Sequence, residues 1–341
     1  MILAGDIGGT KTALGLYGED SQPENPAAEE IFLSRDHNSL VEIVDIFLGK
    51  VRPDRVKAAC FAVAGPILGG RASITNLPWT VQEKDLSAFL EVSMLKLIND
   101  VQAVACSVPI LGKDDLHTLS AGRPEVNGTV AVIAPGTGLG QAFLTWDGKS
   151  YLSHPTEGGH ADFGPGDENQ SGLLTYMRAR RGHVSWEVVC SGMGIPNIYD
   201  YLKSTGKYGK TPTADETPAP GTDRTPSIIR AALDGTSPEP LCVDTLEMFV
   251  SILGAESGNL ALKTMATGGL YVGGGIPPRI LEAIQSGVFM ESFTAKGRLK
   301  PLMEEIPVHI ILNPKAALMG AATEAFRMIR DLEPEPGESG M

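Results

Sequence analysis

Apolar positions in this chain fall into short, dense runs, and two of those runs share one plan. Ile2 to Ile7 alternates like a strand, breaks at Gly8-Gly9-Thr10, and resumes as a second strand through Tyr17. Val130 to Pro135 repeats the plan, breaking at Gly136-Thr137-Gly138-Leu139-Gly140 and running on to Leu144. Each stretch predicts a β-hairpin whose turn is built of small residues. Val56–Ala64 is a mostly apolar run, with Lys57 inside it, that stops at Gly65-Pro66, and Leu95–Asp100 is another, with Lys96 inside it and two polar residues, Asn99-Asp100, at its end. Such runs predict buried strands. Leu40 to Lys50 has helical spacing, an Ala/Val-rich helix is expected after Asp100, and Ala316 to Ile329 predicts a closing helix with small residues for tight packing. Thr267–Val272 predicts a strand entering the turn Gly273-Gly274-Gly275, and Val308–Leu312 a further strand. Strands alternating with helices imply a partly parallel sheet covered on its faces. The repeated hairpin implies a duplicated α/β fold with a ligand held between the copies.

A length of 341 residues argues for two domains. The expected division is a small α/β domain over 1–109 plus 314–330 and a large one over 110–313. Within the latter, 207–227 is rich in Pro, Thr and Asp and is expected to be an exposed loop. The acidic stretch 331–341 is expected to be a disordered tail. The formal net charge of −13 argues against a nucleic-acid backbone or an anionic membrane as partner. Cys60, Cys106, Cys190 and Cys242 are scattered and mostly apolar-flanked, which reads as core cysteine. No apolar run reaches the roughly 18 residues of a membrane span, and no basic-then-apolar leader is seen, so a cytoplasmic location is expected.

The polar residues at strand ends carry the candidate chemistry. Backbone N–H groups in Gly8-Gly9-Thr10 and Gly136-Thr137-Gly138, each beside a Thr hydroxyl, suit phosphate oxygens. The bland reading of either is a tight turn, for the second one with positive φ. Neither turn is a Walker loop, because no G-x-x-x-x-G-K-[ST] occurs, or a dinucleotide fingerprint, because a strand follows the glycines instead of a helix. Asp6, just before Gly8, could hold a hydrated Mg²⁺ beside phosphates. Lys11 reads equally as a phosphate contact or a solvated strand residue. Asp100 reads either as a helix N-cap or as a general base beside Asn99. In Glu157-Gly158-Gly159-His160, carboxylate, imidazole and backbone amides suit sugar hydroxyls. His154, Glu157 and His160 are spaced by three, but glycines and a proline argue against the helix a metal site of that spacing would need. Ser185 is expected to cap a short helix carrying Glu187, either as a first-turn acid or as a third polar anchor. Arg178, Arg180 and Arg181 read as a solvated helix face. Gly273-Gly274-Gly275 could admit a flat ligand.

These residues together resemble the bacterial glucokinase family, hexose kinases with a two-domain actin-like ATPase (ribonuclease H-like) fold and a cleft between domains. The resemblance runs from about Ala4 to Ile329. It rests on Gly5-Asp6-Ile7-Gly8-Gly9-Thr10, Thr75-Asn76-x-x-Trp79, Ile98-Asn99-Asp100, Gly136-Thr137-Gly138-Leu139-Gly140, Glu157-Gly158-Gly159-His160 and Gly182-His183-Val184-Ser185. Ser191-Gly192-x-Gly194 and Gly273-Gly274-Gly275-Ile276-Pro277-Pro278 extend it. It implies transfer of the γ-phosphoryl group of ATP to the 6-hydroxyl of D-glucose, with Asp100 as base and Asn99, Asp100, Glu157, His160 and Glu187 on the sugar. Asp6, Gly8, Gly9, Thr10, Lys11, Gly136, Thr137 and Gly138 would serve the phosphates of ATP, with Mg²⁺ reached from Asp6 through water. Gly273, Gly274 and Gly275 would face adenosine. A homodimer is implied, with domain closure over glucose. Lys11 matches the related repressor/open-reading-frame/kinase sugar kinases, but their zinc-binding cysteine motif is missing, so no zinc is expected.

Three other readings stand beside this one. A kinase for another hexose or an amino sugar would share the motifs. A sugar-responsive regulator on the same fold would need a DNA-binding segment ahead of Asp6, where little chain precedes it. An actin-like assembly protein would hydrolyse ATP without the sugar residues.

Overall fold

The computed structural model describes residues 1–74, 77–208 and 223–331. In chain order the strands and α-helices are β1 (Ile2–Ile7), β2 (Lys11–Tyr17), β3 (Ala28–Leu33), α1 (Leu40–Val51), β4 (Ala58–Val63), β5 (Arg71–Ser73), β6 (Thr80–Gln82), α2 (Glu83–Leu90), β7 (Met94–Asn99) and α3 (Asp100–Ser107). There follow β8 (Leu116–Ser120), β9 (Val130–Pro135), β10 (Leu139–Trp146), β11 (Tyr151–Thr156), α4 (Glu168–Arg181), α5 (Trp186–Val189), α6 (Gly194–Ser204), α7 (Thr225–Ala232) and α8 (Pro240–Thr264). The chain closes with β12 (Gly269–Val272), α9 (Leu281–Ile284), α10 (Val288–Thr294), α11 (Lys300–Glu305), β13 (Val308–Ile311) and α12 (Ala316–Arg330). Two compact units result. One comprises 1–112, 151–155 and 313–341, the other 113–150 and 156–312.

In the first unit five strands lie in the order β3-β2-β1-β4-β7. β1 pairs antiparallel with β2 and parallel with β4, and β4 pairs parallel with β7. Alternate residues of β1 serve opposite faces. Leu3 and Ile7 join Leu40, Ile43, Val44 and Phe47 of α1 in one core, while Ile2 and Ala4 join Ala103 of α3 and Leu318, Ala321 and Ala322 of α12 in another. Burial on both faces is why β4 reads as an unbroken apolar run and why β1 is interrupted only by Asp6 near its end. Helices α3 and α12 approach closely: a Cβ on Gly320 would lie 1.7 Å from the Ala103 carbonyl oxygen. Lys96 of β7 and Arg327 donate to the buried carboxylate of Glu324, which ties α12 to the sheet.

The second unit repeats the plan in its own sheet. Five of its strands run β10-β9-β12-β13-β8. Here too the first hairpin strand, β9, stands between its antiparallel partner β10 and a parallel strand, β12, which pairs parallel with β13. The long helix α8 is buried along most of its length, from Leu241 to Ala261. All four cysteines are buried and free of disulfides.

Residues 209–222 of the expected exposed loop, residues 332–341 of the expected tail, and Thr75 and Asn76 lie outside the described residues. The loop expected to reach Ser227 stops sooner, because α7 starts at Thr225 with Pro226 in its first turn. Proline fits there, since the first N–H groups of a helix have no intrahelical acceptor. Asp100 is not the N-cap of α3. Strand β7 stops at Asn99, one residue short of the expected end at Asp100, and Asn99 caps the helix.

Candidate functional site

In the first unit the candidate residues gather at the carboxyl ends of the parallel strands, where open α/β sheets take their ligands. Asp6 lies near the end of β1, aligned with Ala62 of β4, which is aligned with Ile98 of β7. Asp100 begins α3 just beyond. Asn99 Oδ1 accepts from the backbone N–H of Val101 at 2.9 Å and of Gln102 at 3.4 Å, and its Nδ2 donates to the Gly65 carbonyl at 3.2 Å. These bonds settle the direction in which α3 leaves the sheet, and so where Asp100 stands. Asp100 Oδ1 also accepts from Val101 N–H at 2.9 Å. The Asp6 carboxyl is pushed up to about 7, first by burial and then by the negative charge of Asp100. A divalent cation would relieve both effects, so this carboxyl suits Mg²⁺ beside phosphate.

The turn after β1 is short and braced. Gly8 N–H donates to the Lys11 carbonyl at 2.9 Å. The Ser34 hydroxyl donates to the Gly8 carbonyl at 2.8 Å and lies 3.0 Å from the buried Thr12 hydroxyl. Gly8 and Gly9 remain partly open, and Thr10 and Lys11 are exposed. Ser34 was not legible as a site support, since nothing in its neighbourhood marks it.

In the second unit the turn Gly136-Thr137-Gly138 has an exposed Thr137 between two half-buried glycines. None of its glycines has positive φ; Gly138 leaves room for Glu187, whereas a Cβ on Gly136 would meet open space. Gly192 N–H donates to the Gly136 carbonyl at 2.7 Å, and Gly273 N–H to the Ile133 carbonyl at 2.8 Å. Thus three glycine segments, 136–138, 192–194 and 273–275, meet at one end of this sheet, with Gly274 and Gly275 exposed.

Beside them three polar residues converge. Glu157-Gly158-Gly159-His160 folds as a short 3₁₀ turn, closed by His160 N–H to the Glu157 carbonyl at 3.0 Å. The chain after it is stitched to the start of α5: Trp186 N–H donates to Ala161 at 3.0 Å, and Asp162 bridges to Ser185. Ser185 occupies the N-cap position of α5, but its side chain makes no cap bond. The helix start is set by this bridge instead. It brings His160 Nδ1 to 3.9 Å from Glu187 Oε1, with Nε2 3.9 Å from Glu157 Oε2. Glu187 Oε2 also accepts from the Leu139 N–H at 3.0 Å. Two carboxylates flanking an imidazole, anchored by backbone, make a set of acceptors and a donor suited to neighbouring hydroxyls.

The family model for glucokinase matches residues 3–328 of this chain. Glucokinases of Trichormus variabilis and Nostoc punctiforme are 41% identical over 346 residues and 42% identical over 341 residues; each alignment covers 96% of this chain and 99% of the relative. The chain belongs to the glucokinase family. Its fold agrees: a crystal structure of glucokinase from an Antarctic psychrotroph, 31% identical, superposes with a TM-score of 0.82 over 96% of this chain and 98% of that one. The family carries the two-domain actin-like ATPase fold that the repeated hairpin foreshadows.

In this glucokinase-family chain the basic cluster is a helix end. Arg178, Arg180 and Arg181 sit exposed in the last turn of α4, where cations complement the helix dipole, and Arg180 lies over the Tyr176 ring at 3.4 Å. Among the described residues no group of three His, Cys, Asp or Glu is placed to hold a metal ion, the His154, Glu157 and His160 set included. Among the described residues no helix is long and apolar enough to cross a membrane.

Proposed function

We propose that this chain phosphorylates D-glucose at its 6-hydroxyl with ATP, giving glucose 6-phosphate and ADP. The observation that carries the reading is the Glu157–His160–Glu187 set beside the second glycine turn, together with Asp100 at the carboxyl end of the first sheet. Glu157, His160 and Glu187 hold sugar hydroxyls, with Asn99 adding an amide. Asp100 accepts a hydrogen bond from the 6-hydroxyl, turns its oxygen toward the phosphorus, and takes the proton late. Phosphoryl transfer passes through a loose transition state, so positioning and charge neutralisation carry most of the catalysis. The turns 8–11 and 136–138 supply backbone donors to phosphate oxygens, and 273–275 an open floor for adenosine. Asp6 is the residue that would hold hydrated Mg²⁺, which supplies charge neutralisation to the phosphates when bound. The reading extends to a homodimer on family resemblance alone, to no structural zinc because the cysteine motif of the related sugar kinases is missing, and to a cytoplasmic location. Analytical ultracentrifugation checks the dimer.

The test is ADP release by purified protein with Mg²⁺-ATP, with and without glucose, beside Asp100→Asn. Glucose-dependent release that falls by about 10²-fold or more in the variant is expected, the lower end of what a general base contributes. Release indifferent to glucose would point to an ATPase. Release with other hexoses in preference to glucose would move the assignment to a different sugar.

A further inference from the structure

A buried polar chain runs beneath the Glu157–His160 turn, and no part of it touches the residues given a role so far except at one point. It starts at Lys296, between α10 and α11, whose Nζ donates to Asn259 Oδ1 and to the Ala255 carbonyl, both at 2.8 Å. That leaves Asn259 Nδ2 to donate to Glu256 Oε2 at 3.0 Å. Glu256 Oε1 accepts from Gln141 Nε2 at 2.8 Å. Glu256 is 0% exposed in the middle of α8, and Gln141 is 3% exposed on β10. An ionised carboxylate can only accept, so Gln141 must turn its NH₂ toward Glu256 and its carbonyl oxygen away from it. That oxygen meets the Glu157–His160 turn: a Cβ on Gly158 would lie 2.2 Å from Gln141 Oε1. The other side of the turn is backed by β10 itself, since a Cβ on Gly159 would lie 2.1 Å from the Leu139 carbonyl oxygen. Gly158 N–H is taken by Thr156 Oγ1 at 2.8 Å.

A carboxylate is costly to bury, and a leucine would pack at position 256 without that cost. Burial pushes the Glu256 carboxyl above its ordinary range, against the hydrogen bonds from Gln141 and Asn259 and the charges of Lys263 and Lys296. What the network provides in return is direction. Each bond in it is polar at a defined end, and the last oxygen sets the floor on which the turn rests.

We infer that Glu256 and Gln141 are positioning residues that hold the Glu157–Gly158–Gly159–His160 turn flat on β10, and thereby set the affinity for the sugar. The second half rests on the proposed sugar-binding role of this turn. Gln141→Met keeps the volume and removes the amide. In the ligand-free protein it should raise amide hydrogen exchange at Gly159 and His160. In assays it should raise the glucose KM about tenfold, while the ATP KM and kcat stay within about twofold, a loss in the range expected for a charged hydrogen bond. The exchanged pair Gln141→Glu with Glu256→Gln restores a carboxylate–amide bond and should bring the glucose KM back to within about threefold of wild type.

Unchanged exchange at the turn in Gln141→Met would overturn the positioning role. Faster exchange with an unchanged glucose KM would overturn the link to affinity, provided Glu157→Gln does raise that KM. If Glu157→Gln leaves it unchanged too, the sugar reading of the turn fails, and the exchange result alone supports the positioning role. A purely structural role predicts a lower unfolding midpoint for Gln141→Met with no shift in glucose KM, and that outcome also overturns the proposal.

Discussion

Glu187 reaches its place because Gly138 has no side chain. A Cβ there would lie 2.3 Å from Glu187 Oε2, the end of a flexible chain that can swing aside. Gly138→Ala is therefore expected to leave stability nearly unchanged while pushing Glu187 off the Leu139 N–H and away from His160. The glucose KM should rise about tenfold or more, as for loss of a hydrogen bond to a charged group, and urea unfolding should move by less than about 1 kcal/mol. A variant with wild-type KM would show that Glu187 does not serve the sugar from this position. The same logic makes Asn99 more than a cap. Its side chain sets the helix start from which Asp100 projects, so Asn99→Ala should cost about 1 kcal/mol of stability as a lost cap.

At the scale of elements, α12 is the piece whose attachment is most polar. The Glu324 side chain is 4% exposed, Arg327 is 21% exposed, and Lys96 is 38% exposed. Burial alone would raise the Glu324 carboxyl, but the hydrogen bonds from Arg327 and Lys96 outweigh it and hold the group below its ordinary range. A carboxyl lowered on folding adds stability above its unfolded pKa and loses it as pH falls through the folded one. Glu324→Gln should thus cost about 2–3 kcal/mol at pH 7, less than a wholly buried pair because Lys96 meets solvent. The gap from wild type should close as pH drops below the ordinary glutamate range, which urea unfolding at pH 7 and at acid pH would measure. An equal gap at both would place the effect in packing rather than in charge. The elements themselves were largely legible. Both hairpins, strands β4 and β7, and helices α1 and α12 stand where apolar spacing predicts them, because their periodicity is local, although β7 is buried only at Leu97 and Ile98. The start of α7 and the cap of α3 were less legible, since Thr, Asn and Asp all suit turns and helix starts alike.

At the scale of the molecule, a binder of the folded state alone stabilises it by mass action. Glucose at 100 times its Kd should raise the unfolding free energy by about 2.7 kcal/mol. For a chain of this size that is a rise of a few degrees in Tm, on the order of 2–4 °C per kcal/mol for somewhat smaller domains. Asp100→Asn should keep the shift, and Glu157→Ala should lose it, which separates holding the sugar from reacting with it. A shift lost equally in both would make Asp100 a binding residue first. The acidic net charge of −13 bears on this scale as well, since it opposes association with nucleic acid whatever the local detail.

Sequence by itself was enough to establish the duplicated hairpin, the α/β class and the residues at the strand ends, because each depends on neighbours within a few positions along the chain. It also named Glu157, His160 and Glu187, and the resemblance grouped them on one sugar. Only the tertiary structure showed how they converge, since the Asp162–Ser185 bridge joins segments that local spacing cannot relate. It alone decided what Gly138 and Gly158 are for, as each glycine answers to a side chain that local spacing does not reach. The Glu256–Gln141 support was beyond the sequence for the same reason: a charged residue inside an apolar helix signals a partner, but 115 residues separate it from the amide it holds.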